Sequence, residues 1–177
     1  HLSELVESTL EALSEAKCIQ VVDEMYVEPL NLGMISAYYS IHYATIEMMS
    51  TSLQASTRLR GILQVISASA EFESLISVRS GEETLLLALH SKCPVKLGAG
   101  SLKFHDPHVK VAILLQCHFS RIELPNELQG DLDLILGRIV PLIYALVDVL
   151  SSQGWLAPAL AAMEFCQMCI QGVWDSD

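Results

Sequence analysis

Basic residues are scarce in this chain: 10 Lys and Arg stand against 21 Asp and Glu over 177 residues, a formal charge of −11 with His neutral. So acidic a chain is not a generally basic nucleic-acid-binding domain, and any contact with nucleic acid must be local. Glycine and proline are also few, 9 and 6, which excludes the turn-dense sequence of an all-β sandwich. Charged residues make up 18% against 51% hydrophobic, so the chain has ample core material and too little polarity for intrinsic disorder. The five cysteines form an odd set, which points to reduced thiols in an intracellular compartment rather than a disulfide framework.

The usual signatures of catalysis are missing from the sequence. There is no G-x-x-x-x-G-K-[ST], H-E-x-x-H or G-x-S-x-G, and no G-x-G-x-x-G following a strand. The segment Gly98-Ala99-Gly100-Ser101-Leu102-Lys103 has the composition of a phosphate loop without its spacing, and reads as a plain loop. Cys166 and Cys169 form the one C-x-x-C, but within a helical pattern and without a second pair. Zinc needs four tetrahedral ligands, so these two read as small buried apolar residues, and no metal is expected. His105 and His108 read as polar cover around a helix start, and His42 and His118 as hydrogen-bonded residues at the edge of the core. No signal peptide or membrane span is expected, because the chain opens on an acidic amphipathic run and residues 29–46 are broken by polar positions.

What is present is helical periodicity. Leu2, Leu5, Val6, Leu10 and Leu13 form an apolar stripe with Glu4, Glu7, Glu11 and Glu15 on the wet side. Two short strands around an acidic turn follow, confined to residues 18–28. A helix and a hairpin cannot bury their own faces, so residues 1–30 are expected to be the end of a domain whose beginning is missing. From Asn31 to Leu53 the spacing of Leu32, Ile35, Tyr39, Tyr43, Ile46, Met49 and Leu53 predicts one long core helix. A second helix should follow Ser56 as N-cap, and a third should start just after Gly81. Asp106-Pro107 supplies N-cap and N1 to a helix ending at Phe119, apolar nearly all round and therefore central. Residues 131–150 carry a further stripe, bent at Pro141 and stopped by Gly154. The last helix, residues 156–174, presents Leu156, Leu160, Met163, Ile170 and Trp174. The fold class is all-α: a helical bundle of six or more helices behind a short β-hairpin.

Charge is distributed unevenly along this pattern. Residues 1–57 hold a single base, Lys17, among eight acids; residues 122–177 hold Arg138 alone among eight; residues 58–121 hold eight bases against five acids. The acidic ends fit a protein-docking surface better than an RNA channel.

Several segments together resemble a known family. Asn31-Leu32-Gly33-Met34-Ile35 with Tyr39 and Thr45-Ile46, Asp106-Pro107-His108-Val109-Lys110 with Leu114-Leu115-Gln116 and Ser120-Arg121, then Gly154-Trp155-Leu156 and Pro158 to Glu164, are similar to the Sec63-type unit of Ski-like helicases. The last blocks most resemble the C-terminal cassette of the large Brr-type spliceosomal RNA helicases. The resemblance implies that residues 1–30 end a winged-helix domain and that residues 31–177 are the Sec63-type helical bundle of a much larger protein. It implies a non-catalytic accessory module in a helicase that unwinds U4/U6 small nuclear RNA in pre-mRNA splicing, with ATP and Mg bound by helicase domains elsewhere. The implied partners are those other domains, spliceosomal proteins and, in the full-length context, small nuclear RNA, in the nucleus and away from membranes. The alternatives are a related helicase or translocon bundle and a stand-alone interaction bundle.

The resemblance also places residues 131–152 at the ratchet helix, which touches single-stranded nucleic acid. Arg138, Tyr144 and Ser151 would face the strand, together with Pro141 and Asp148, although the family commonly has a basic or polar residue at Pro141. Glu71 and Arg79 read as an ion pair pinning a loop.

Overall fold

The computed structural model describes residues 1–23, 25–98 and 102–174. It opens with α1 (Leu2–Glu15) and an antiparallel hairpin of β1 (Ile19–Val22) and β2 (Tyr26–Pro29), with Ile19 opposite Pro29 and Val22 opposite Tyr26. The pairing runs one residue beyond the expected limit, because a proline is tolerated at the end of an edge strand. No residue of α1 is buried, and Leu2, Leu5 and Val6 of its apolar stripe lie exposed.

The bundle follows as α2 (Asn31–Tyr39), α3 (Tyr43–Ser52), α4 (Leu59–Ser67), α5 (Glu71–Leu75), α6 (Glu82–Lys92), α7 (Pro107–Phe119), α8 (Asn126–Ser152) and α9 (Leu156–Gln171). Gly33 lets α2 start beside the turn after α1, since a Cβ there would collide with the Cys18 carbonyl. Two helix starts read from the sequence hold. Gly81, at φ 89°, precedes α6, and the Asp106 carboxylate accepts the His108 N–H at 2.8 Å ahead of Pro107. α7 is the axis of the core: Val111, Ile113, Leu114, Leu115 and Cys117 are wholly buried.

Several expectations need correction. The single helix over residues 31–53 is two, broken at Ser40 (φ 54°), where the Ser36 hydroxyl donates to the Ile41 carbonyl at 2.6 Å and His42 caps α3. His42 is therefore exposed at a helix start and not at the edge of the core. α4 begins after Arg58 and not Ser56, because Thr57 closes a turn on Gln54 with both its N–H and its hydroxyl oxygen. α5 was not expected at all, being too short to show a period.

A further correction concerns α9. It stops at Gly172 (φ 63°), and of its expected stripe Leu156, Leu160, Met163 and Ile170 face outward, while Trp174, beyond the helix end, packs on Phe119. Ala159, Ala162, Phe165, Cys166, Met168 and Cys169 point inward instead. Small residues at 159 and 162 let the helix lie close to α8 and α4, and that close approach outweighs the larger side chains of the other face.

α8 begins five residues earlier than the periodicity predicts and continues as helix past Pro141. It is the one described helix long and apolar enough to cross a membrane, yet Leu132, Ile135, Ile139, Leu142, Ile143, Leu146 and Leu150 are buried in the bundle.

Candidate functional site

The solvent side of α8 carries Arg138, Pro141, Tyr144, Asp148 and Ser151 along one stripe, as 3.6-residue periodicity requires. Tyr144 and Ser151 are exposed, while Arg138 and Pro141 are half-buried. The cause is α2, whose C-terminal end lies against the stripe. An Nη2 of Arg138 donates to the Ser40 carbonyl at 2.7 Å, and the Tyr39 hydroxyl donates to Asp148 Oδ2 at 2.8 Å. Arg138 thus brings a cation to the negative end of α2. The hydrogen bond to Asp148, with burial and the carboxylate charge, pushes the Tyr39 phenol up to about 12.

Two aromatic side chains beside this contact remain open. Tyr38 is 81% exposed and meets Tyr39 edge-on, with ring centroids 4.8 Å apart at 84°. Tyr144 is 50% exposed and stands one turn of α8 before Asp148, the acceptor of the Tyr39 hydroxyl. Sequence reasoning singled out Tyr144 but passed over Tyr38, whose only signal was a second aromatic next to a core tyrosine.

Glu71 and Arg79 do not pair with each other, which corrects that expectation. Glu71 accepts the His42 N–H at 2.8 Å and the Thr45 hydroxyl at 2.7 Å, so it pins the corner between α2 and α3. Arg79 donates to Glu82 Oε1 at 2.6 Å and holds Asp131 through both Nη atoms at 2.7 and 2.8 Å. The same two carboxylates hold Lys110, which is fully buried on α7: Nζ lies 2.6 Å from Glu82 Oε2, 2.7 Å from Asp131 Oδ2 and 2.8 Å from the Ser77 carbonyl. Burial alone would raise Glu82 and Asp131, but hydrogen bonds from Lys110 and Arg79 and the two positive charges hold both below the usual carboxylate range. The sequence hint was one lysine at the start of the apolar run of α7.

The remaining candidates take structural places. His108 meets the Ser67 carbonyl at 2.9 Å, and His118 meets the Cys169 carbonyl at 2.8 Å. Burial pushes the Cys166 and Cys169 thiols up, which keeps them protonated. Among the described residues, no three His, Cys, Asp or Glu side chains are grouped to hold a metal ion. Ala99, Gly100 and Ser101 of the glycine loop lie outside the described residues.

Comparison with known proteins decides the family. The model of the Sec63 Brl domain matches residues 29–176. The chain belongs to the Sec63 Brl domain family. The U5 small nuclear ribonucleoprotein 200 kDa helicase of Homo sapiens is 55% identical over 177 residues, covering 100% of this chain and 8% of that protein. The protein of the same name in Drosophila melanogaster is 53% identical over 180 residues, with the same coverage. The DExH-box ATP-dependent RNA helicase DExH12 of Arabidopsis thaliana is 45% identical over 177 residues, again 100% of this chain and 8% of the relative. This Sec63 chain is therefore similar along its whole length to Brr-type spliceosomal helicases, and it spans about 8% of their length.

Proposed function

We propose that this Sec63 bundle is a non-catalytic module of an ATP-dependent spliceosomal RNA helicase, acting in U4/U6 unwinding and pre-mRNA splicing in the nucleus. The observation that carries the reading is the 55% identity over the entire chain to a U5 helicase. On this reading residues 1–30 end a winged-helix domain, residues 31–177 form the helical bundle of the C-terminal cassette, and ATP and Mg are bound by helicase domains elsewhere.

Two surfaces divide the work. The α8 stripe faces single-stranded RNA, with Arg138 toward phosphate and Tyr144 toward a base, because a strand-tracking surface needs cations and flat rings. The outer face of α9, with Leu156, Leu160, Met163 and Ile170 exposed, suits the docking of splicing proteins or of neighbouring domains of the same helicase. An open apolar stripe of that kind supports a docking role beside RNA contact.

The test is Arg138→Glu and, separately, Tyr144→Ala in the intact helicase, read as ATP-driven unwinding of a U4/U6 duplex. We expect unwinding to slow by about fivefold or more, the scale of one lost stacked base. Unchanged unwinding with both variants would remove α8 from the RNA path and leave the docking role.

A further inference from the structure

We propose that the outer face of α9, together with the groove beside it, receives an acidic amphipathic helix supplied by a separate protein. The proposal rests on the reading of this face as a docking surface, and it adds the chemistry of what docks there.

The face is a straight apolar stripe. Leu156, Leu160, Met163 and Ile170 are all exposed, and their helical spacing puts them on one line of α9. From residue 156 to residue 170 that line runs about 21 Å, at roughly 1.5 Å per residue. About four turns of a second helix match that length, with apolar side chains at successive turns meeting the stripe.

A groove of about 580 Å³ flanks the stripe where residues 55–59 face Ala157, Ala161 and Glu164 of α9. Alanines at 55, 157 and 161 leave the space that an incoming side chain fills. The wall opposite α9 is held in place from within the bundle. Thr57 closes its turn on Gln54, and Gly61 admits the Thr57 methyl where a Cβ would come within 2.5 Å of it. The groove is therefore formed before anything binds, which lowers the cost of docking.

Charge selects the kind of helix. Arg58 lines the groove, and Arg60 lies exposed in the first turn of α4, which carries no acidic residue. Among the described residues neither arginine forms an ion pair, whereas Arg79 and Lys110 are both engaged by Glu82 and Asp131. Glu164 is the one carboxylate in the groove lining. Two arginines against one glutamate make this corner locally positive on a chain of net charge −11. An acidic helix is repelled by the rest of that surface and attracted here, so charge directs it to this face. The occupant carries carboxylates on the flank that meets Arg58 and Arg60, and a neutral or basic residue opposite Glu164.

The experiment uses the intact helicase and two fluorescein-labelled synthetic peptides of about 16 residues, the length of the stripe with a residue to spare. One has leucines at helical spacing flanked by glutamates, and the other has lysine at each glutamate position. Affinity is read by fluorescence anisotropy, and contact by a photo-crosslinking residue in place of Met163. The acidic peptide should bind about tenfold more tightly than its lysine counterpart and crosslink at position 163. Leu160→Asp should weaken it by about tenfold, and Arg58→Glu with Arg60→Glu should reverse the preference between the peptides. These side chains are exposed, so the variants should keep the melting curve of the parent. If Leu160→Asp weakens binding but the charge reversal leaves the preference unchanged, the acidic chemistry fails and the docking surface stands. If neither variant changes binding, both fail. Crosslinks from position 163 to another domain of the same helicase, undiminished by the acidic peptide, would give the face to that domain and overturn the proposal.

Discussion

Lys110 Nζ sits 2.7 Å from Asp131 Oδ2 with its whole side chain out of reach of solvent. A lysine in that position is tolerable only because Glu82 and the Ser77 carbonyl complete its shell and Arg79 supplies the charge that balances the second carboxylate. The four charged groups join α6, α7, α8 and the loop before α6. Such a cluster fixes which helices meet more than it adds net stability, since desolvation offsets much of the attraction.

Removing one member should therefore cost far more than replacing the set. Lys110→Met strands two buried carboxylates with one cation, and we expect a loss of about 3 to 5 kcal/mol in urea unfolding. Lys110→Met combined with Asp131→Leu should recover much of that loss. Equal destabilisation by the single and double variants would contradict the account.

Acid should act through the same cluster. Glu82 and Asp131 are held below their unfolded values, so the stability they confer is complete above the unfolded carboxylate range near about 4 and is lost as pH falls through the depressed folded values. Thermal midpoints should fall below about pH 4, and Asp131→Asn should flatten that acid limb while lowering stability at neutral pH. An acid limb of undiminished steepness in Asp131→Asn would place the acid sensitivity elsewhere.

Glu71 closes the corner between α2 and α3 through the His42 N–H and the Thr45 hydroxyl. Glu71→Ala leaves both donors without their charged acceptor, at a cost of about 1.5 to 3 kcal/mol. Hydrogen exchange should show lost protection at His42 first. Faster exchange spread evenly over the bundle would mean that the corner has no local role.

The isolated 177 residues should neither hydrolyse ATP nor bind RNA more tightly than about 10⁻⁴ M at physiological salt, the weak end of non-specific affinity. The net charge of −11 opposes the single Arg138 on the α8 stripe. RNA-stimulated ATPase activity from the purified chain would refute the accessory role.

Whatever is decided within a turn or two of chain was legible in the residues themselves. The Asp106-Pro107 cap, the start of α6 after Gly81, the stop at Gly154 and the buried stripe of α8 all depend on backbone geometry and periodicity that near neighbours dictate. The family resemblance is of the same kind, since it rests on short blocks in order. Other features needed the assembled bundle. The break at Ser40 lies inside an unbroken apolar period, and Glu71 from another helix stabilises it. α9 has two apolar faces, and only the space left beside α4 and α8 selects the one with Ala159 and Ala162. Lys110 reads as an anomaly until Glu82, Asp131 and Ser77 converge on it from three other segments. Arg138 and Tyr144 were visible as a surface stripe, but the tie of Arg138 and Asp148 to the end of α2 appeared only when α2 folded against α8. Periodicity specifies that a face is apolar, whereas distant segments competing for the same volume determine whether it is buried.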